Sequence, residues 1–413
     1  MFPRLKAGLV NAAVVVVSLA VAYLAIELVF FRFLLPDMPL NLQPHLSDRA
    51  NFFLQNSKAH ELPQSYIALL GDSYAQGLGD WLLAVGGEGN KPHHSADVIH
   101  DLAGRDVASF GRAGSGSAEA MVLHVTRVLD AGTCFAFPSI EEPKQFVAYF
   151  YEGNDIDDNN ELIERAIHTR GPGLATAVDT FLDRDFGVAS PWECYGHLGE
   201  MIVGMGRFLI RQRIRRVRVI DLPADKNRVV IAGTPTGSPR LQLPSMTLDE
   251  PEIADGITVY DRSLAWLRRK YPNVPTTVIY IPSPATTYRQ ANPEVVGADV
   301  YAPRTSRRAG RAVVVDGREF PSSAIYVRSQ RICEGIRAAT LRNGAGFVDA
   351  RPTLRAAGSR QQVHGPHDWK HVNETGYRLI GALVARHLDD RPADACDDSW
   401  PETPSGPSRN DKS

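Results

Sequence analysis

The stretch from Ala7 to Phe31 (AGLVNAAVVVVSLAVAYLAIELVFF) is apolar on every side and is interrupted only by Asn11, Ser18 and Glu27. As a helix it is long enough to cross a hydrocarbon core of roughly 30 Å, for which about 20 residues suffice. Few helices inside soluble domains are apolar all round. Arg4, Lys6 and the terminal amine precede the run, so the positive-inside rule keeps that end cytoplasmic and sends the rest of the chain across the membrane. Residues 1–36 are therefore expected to form a cytoplasmic stub and a transmembrane signal anchor. A cleavable signal peptide also fits, with Ala20-Val21-Ala22 as an A-x-A site. Cleavage there would leave apolar residues through Leu34 and Leu35 at the new terminus.

Composition narrows the class of the remaining chain. With 413 residues, 45 Lys+Arg and 47 Asp+Glu, the formal net charge is −2, which argues against a nucleic-acid binder. The four cysteines, Cys134, Cys194, Cys333 and Cys396, contain no C-x-x-C, so neither a zinc site nor a thioredoxin-like motif is supported. In an oxidising compartment they can form two disulfides with three connectivities open; Cys134–Cys194 and Cys333–Cys396 is the pairing expected here.

Past a polar linker at 37–64, short apolar runs alternate with helical patterns. Strands are expected at Tyr66–Leu70, Val107–Phe110, Phe146–Tyr151, Thr277–Ile281 and Gly346–Asp349. Helices are expected near Ala96–Leu102, over Ser117–Leu129, up to Lys270, over Ala324–Leu341 and over Glu374–Leu388. This order predicts an α/β fold, a three-layer α/β/α sandwich around a parallel sheet. The rhythm breaks at about 160–260, which reads as an insertion with an apolar helix around Leu198–Ile210, arginines at 207, 211, 213, 215, 216 and 218, and a turn at Thr236-Gly237-Ser238-Pro239. The arginines form a solvated face or a surface for anionic lipid or glycan. The polar, Pro-rich tail at 389–413 is expected to be disordered apart from any tether at Cys396.

Four short patterns carry chemistry, and the first three fall at strand C-termini, where parallel sheets place ligands. Gly71-Asp72-Ser73 presents a serine at a tight turn opening a helix, where N–H groups favour a developing anion. Gly114, in Phe110-Gly111-Arg112-Ala113-Gly114-Ser115-Gly116, and Asn154, in Gly153-Asn154-Asp155, supply a backbone N–H and a side-chain amide suited to an oxyanion hole. A turn glycine and an Asx-turn are the plainer readings of each taken singly. The glycine order is G-x-x-G-x-G, not the dinucleotide-binding G-x-G-x-x-G. Asp368-Trp369-Lys370-His371 lets one turn supply an imidazole base and the carboxylate that fixes its tautomer. His364, His367 and His371 match no standard zinc spacing, so neither a metal nor another cofactor is expected.

In this order the blocks resemble the SGNH hydrolases, the GDSL esterase/lipase superfamily, and the text around them (FGRAGSGSAE, YEGNDIDDN, DWKHVNETGYRLI) looks like its membrane-anchored bacterial branch. The likeness covers roughly Ser65–Asn160 and Tyr271–Leu388 within a domain at 65–388. It departs at Glu152, which stands where the first glycine of G-x-N-D falls. The resemblance implies a flavodoxin-like sheet, Ser73 as nucleophile, His371 as general base and acid, and Asp368 as its partner. The oxyanion hole would comprise the Ser73 N–H, the Gly114 N–H and the Asn154 amide. It further implies a serine esterase at the bacterial inner membrane, facing the periplasm, acting on an acyl ester of a glycan or lipid. An O-acyltransferase modifying an exported polysaccharide, or an inactive binding protein, are the alternatives. No G-x-S-x-G elbow occurs at this strand end, which disfavours a standard α/β-hydrolase.

Overall fold

A computed structural model describes residues 2–35, 38, 46–55, 57–60, 62–79, 95–130, 139–188, 198–199, 201–206, 227–238, 241–297 and 318–401. Cys134, Cys194, the six arginines between 207 and 218, and positions 402–413 lie outside these residues.

Helix α1 (Phe2–Val29) contains a segment, Val10–Val29, with mean hydropathy 2.5 and only 6 % of it buried. It is long and apolar enough to span a membrane. Its one acid, Glu27, is buried because its carboxylate accepts the Leu198 N–H at 3.3 Å, just ahead of a helical stretch at 201–206. Phe30, Leu35, Met38, Leu46, Ala50 and Leu54 form a small apolar cluster there, with Leu198 and Met201 against it.

Five strands make one parallel sheet: β1 (Tyr66–Leu70), β2 (Asp106–Ser109), β3 (Gln145–Tyr151), β6 (Thr276–Ile281) and an edge strand, Gly346–Asp349. Across the sheet the edge strand is followed by β6, β3, β1 and β2. The expected α/β architecture is the one observed. Helices cover both faces, so both faces must be apolar, which is why the strands read as unbroken hydrophobic runs. Successive side chains alternate between the two cores. Ala68, Leu70, Phe146, Ala148, Phe150, Val278 and Tyr280 pack on one side. Ile67, Leu69, Val147, Tyr149, Tyr151, Ile279 and Ile281 pack on the other. β1 leads to β2 on one side while β3 returns on its other side, so the topological switch, and the crevice it opens, lies at the C-terminal ends of β1 and β3.

Three segments differ from expectation. The linker contains helix α2 (Asp48–Leu54), capped by Ser47, and its Phe52 is fully buried in the main core. The insertion is narrower than 160–260. Ile163, Leu174, Val178 and Leu182 belong to the core, and so does the helix Glu250–Lys270, whose Ile253, Val259, Tyr260, Leu264 and Leu267 seat it on the sheet. That helix opens with a capping box in which Asp249 and Glu252 bond each other's backbone N–H. Between these parts lies a hairpin, β4 (Arg228–Ile231) and β5 (Thr234–Gly237), that turns at Ala232-Gly233, both at positive φ; of the turn expected at 236–239, Thr236 and Gly237 lie within β5 and Pro239 is outside the described residues.

The tail, too, differs from expectation: residues 389–401 pack against the domain. Ala393 pairs in parallel with Phe347 at the free side of the edge strand, and Cys396 is disulfide-bonded to Cys333. Beyond it, Trp400 receives the guanidinium of the buried Arg355 on its ring face, 4.7 Å from the centroid. The strap thus covers the edge that a parallel sheet otherwise leaves open.

Candidate active site

Gly71 follows β1, and Asp72 caps the short helix α3 (Ser73–Gln76) by accepting the Tyr74 N–H on its side chain at 2.9 Å. This sets Ser73 at the mouth of the crevice. Its Oγ lies 2.8 Å from His371 Nε2, and His371 Nδ1 lies 2.6 Å from Asp368 Oδ2. The Asp72 carboxylate is a second acceptor within reach of the Ser73 hydroxyl, at 3.1 Å. Burial works against the Asp368 charge, yet its bonds to His371 and to the Lys370 and His371 N–H groups hold its carboxyl below the usual range.

The turn carrying His371 is gripped from the sheet side. Tyr74 and Tyr151, with ring centroids 4.3 Å apart, both donate their hydroxyls to the Lys370 carbonyl, at 2.9 and 3.1 Å. Burial pushes both phenols well above their ordinary pKa, so they remain donors. Two donors on one carbonyl fix the peptide immediately before His371.

Gly114 and Asn154 lie in the loops after β2 and β3, the two strands that flank β1. Gly114 has φ +76°, a left-handed conformation that glycine adopts without cost, and nothing stands within 4 Å of where a Cβ would be. Neither the Ser73 nor the Gly114 N–H has a backbone acceptor among the described residues. Asn154 Nδ2 donates one hydrogen to Asp158 Oδ2 at 2.7 Å and keeps its second available. Asp158, four residues on, is a member of the site that the motif comparison missed; a carboxylate one helical turn after the asparagine was its signal. The neighbouring Asp155 carboxyl is pushed well above its usual range by burial and by Asp72, and accepts the Tyr151 N–H.

Glu152 explains the departure from the motif. It is fully buried and points beneath the sheet, where it accepts from the Ser283 N–H and hydroxyl at 2.9 Å each, the Tyr280 hydroxyl at 2.5 Å, the Ser329 hydroxyl at 2.7 Å and the Thr286 hydroxyl. It therefore ties the end of β3 to the end of β6 and to the segment that follows it. The three histidines do not converge. His364 faces Tyr288, whose hydroxyl is 3.2 Å from its Nδ1, and burial pushes its pKa down to about 3, which leaves the ring neutral. Among the described residues one cluster has metal-ligating atoms within reach, Cys333, Asp349 and Cys396, and its two sulfurs are spent on the disulfide.

No protein-family model matches the chain, and no curated protein does. Among solved structures it is similar to a carbohydrate esterase family 2 enzyme with a carbohydrate-binding domain from Corynascus thermopiles (Myceliophthora fergusii). That likeness has 12 % identity and a TM-score of 0.34, and covers 79 % of this chain and 66 % of that one. It is also similar to an acetyl xylan esterase, Est2A, from the rumen bacterium Butyrivibrio proteoclasticus, at 10 % identity and a TM-score of 0.31, covering 79 % and 64 %. The chain thus spans just under two thirds of the length of these two proteins.

Proposed function

We propose that this chain is a membrane-anchored serine esterase of the SGNH type, its catalytic domain in the periplasm, that cleaves an acyl ester, in the first place an O-acetyl group, of an envelope glycan or lipid. The observation that carries the reading is the continuous hydrogen-bonded chain Ser73–His371–Asp368.

His371 takes the Ser73 proton as Oγ attacks the ester carbonyl, and Asp368 stabilises the imidazolium that results. The carbonyl oxygen becomes an oxyanion, received by the Ser73 and Gly114 N–H groups and the second Asn154 amide hydrogen. Collapse of the tetrahedral intermediate passes the proton from His371 to the departing alkoxide and leaves an acyl-Ser73. Water, activated by the same imidazole, then returns the carboxylate and free serine.

Acetate release from p-nitrophenyl acetate and from an acetylated glycan, by the wild type and by Ser73→Ala, tests the proposal. Ser73-dependent release supports it; equal turnover by the two proteins refutes it. Transfer to an added sugar that outruns release to water reassigns the site to acyl transfer.

A further inference from the structure

A second serine–histidine–aspartate array lies behind Gly114. Ser115 Oγ is 2.8 Å from His124 Nε2, and His124 Nδ1 is 3.0 Å from Asp48 Oδ2. Ser115 and His124 are buried, and the Asp48 side chain is 5 % exposed. Arg112 donates to Asp48 Oδ1 at 2.5 Å and to the Leu46 carbonyl, and Arg127 approaches Asp48 Oδ2 at 3.5 Å. Burial opposes the Asp48 charge, but His124, Arg112 and Arg127 together hold the carboxyl well below its usual range, so the array is anchored on a permanent anion.

The loop between Gly111 and Ser117 is held from two further sides. Towards the nucleophile, Arg112 N–H donates to the Gly71 carbonyl at 3.3 Å and Ala113 N–H to Gln76 Oε1 at 2.8 Å. Gly111 lies so close to the α3 backbone that a Cβ would stand 2.5 Å from Gln76 N. Towards Asn154, Ser117 N–H donates to Asn159 Oδ1 at 2.9 Å and Asn159 Nδ2 returns a bond to Ser117 Oγ at 3.1 Å. Asp48, by contrast, reaches in from α2, the helix that follows the apolar span, and bonds both sides of Gly114: Arg112 directly and Ser115 through His124.

We propose that Asp48, His124 and Ser115, with Arg112, are positioning residues that hold the Gly114 N–H at the place where the oxyanion forms, so that the membrane-proximal helix is built into the oxyanion hole. The assignment rests on the esterase reading for its catalytic consequence and on geometry alone for its structural one.

The test uses the full chain in detergent, comparing the wild type with Ser115→Ala, Asp48→Asn and Ser73→Ala. Amide exchange in the peptide 110–117 is expected to rise at least about 10-fold in Ser115→Ala and Asp48→Asn, with the β1 and β3 peptides unchanged. For p-nitrophenyl acetate, kcat is expected to fall about 10- to 100-fold with KM within about twofold, because a misplaced donor affects the transition state more than binding. Wild-type exchange at 110–117 overturns the inference whatever turnover does. Faster exchange with unchanged kcat in a Ser73-dependent enzyme overturns the positioning role. Turnover that survives Ser73→Ala sinks the esterase reading instead, and the exchange arm still decides whether the array holds the loop.

Discussion

Asn154 offers two amide hydrogens, and Asp158 takes one of them. The carboxylate thereby orients the amide, and in the proposed reaction the other hydrogen would serve the developing oxyanion. Removing one such donor typically costs about 2.7 to 4 kcal/mol of transition-state stabilisation. Asn154→Ala is accordingly expected to lower kcat about 100- to 1,000-fold without abolishing turnover; wild-type turnover in steady-state kinetics would remove Asn154 from the site. Glu152 calls for a different measurement. Its bonds with Ser283, Tyr280, Ser329 and Thr286 are all accepted by one buried carboxylate, so Glu152→Ala takes the acceptor from the Ser283 N–H and the Ser329 hydroxyl, while Tyr280 and Thr286 keep the Ser329 and Ser283 carbonyls in reach. Urea denaturation should show a loss of about 3 kcal/mol or more. Of the five residues singled out in the motifs, Ser73, His371 and Asp368 are joined by hydrogen bonds, and Gly114 and Asn154 stand in the loops that follow β2 and β3, the two strands flanking β1. Glu152 was opaque because its partners lie between positions 280 and 329, and no local pattern announces donors that distant.

At the scale of elements, what was legible followed from periodicity, and what was not depended on distant partners. All five parallel strands appear as apolar runs within a residue or so of their observed ends. α2 was hidden in a polar segment because it is only seven residues long, and its buried apolar residues, Ala50, Phe52 and Leu54, alternate with the polar Arg49 and Asn51 and serve two different clusters. The Glu250–Lys270 helix carried a readable start, Asp249 with Glu252 three residues later, that the compositional shift obscured. The tail misled most, since its composition is that of a disordered segment while its order comes from pairing with the edge strand, the disulfide, and Arg355. Closing a loop with a sequence separation of 63 is worth ~4 kcal/mol in the chain-entropy model. Cys396→Ser, or reduction of the wild type, is therefore expected to lower the thermal midpoint by several degrees, as read by calorimetry. An unchanged midpoint would mean that the strap's hydrogen bonds suffice without the covalent link.

For the whole molecule the sharpest consequence is its response to acid, because two kinds of titrating group act in different windows. His364 is pushed down to about 3 in the fold against about 6.5 in an unfolded chain. The unfolded state therefore binds the proton more readily between those values, and stability is lost as pH falls through that interval. From pH 7 to pH 5 this single ring is expected to cost about 2 kcal/mol. Asp48 and Asp368, both lowered in the fold, add their losses only below about pH 4, where unfolded carboxylates begin to protonate. Asp155 is raised and acts with the opposite sign: its neutral form is favoured in the fold, so acid relieves its burial. Because these contributions overlap, the informative quantity is the difference between the wild type and His364→Asn, measured as urea unfolding free energy at pH 7, 6 and 5. The variant lacks the imidazole, so its stability should decline less across this range, by about 2 kcal/mol in total. Parallel curves for the two proteins would show that His364 already titrates in the fold as it does in the open chain, and that the acid response begins with the carboxylates.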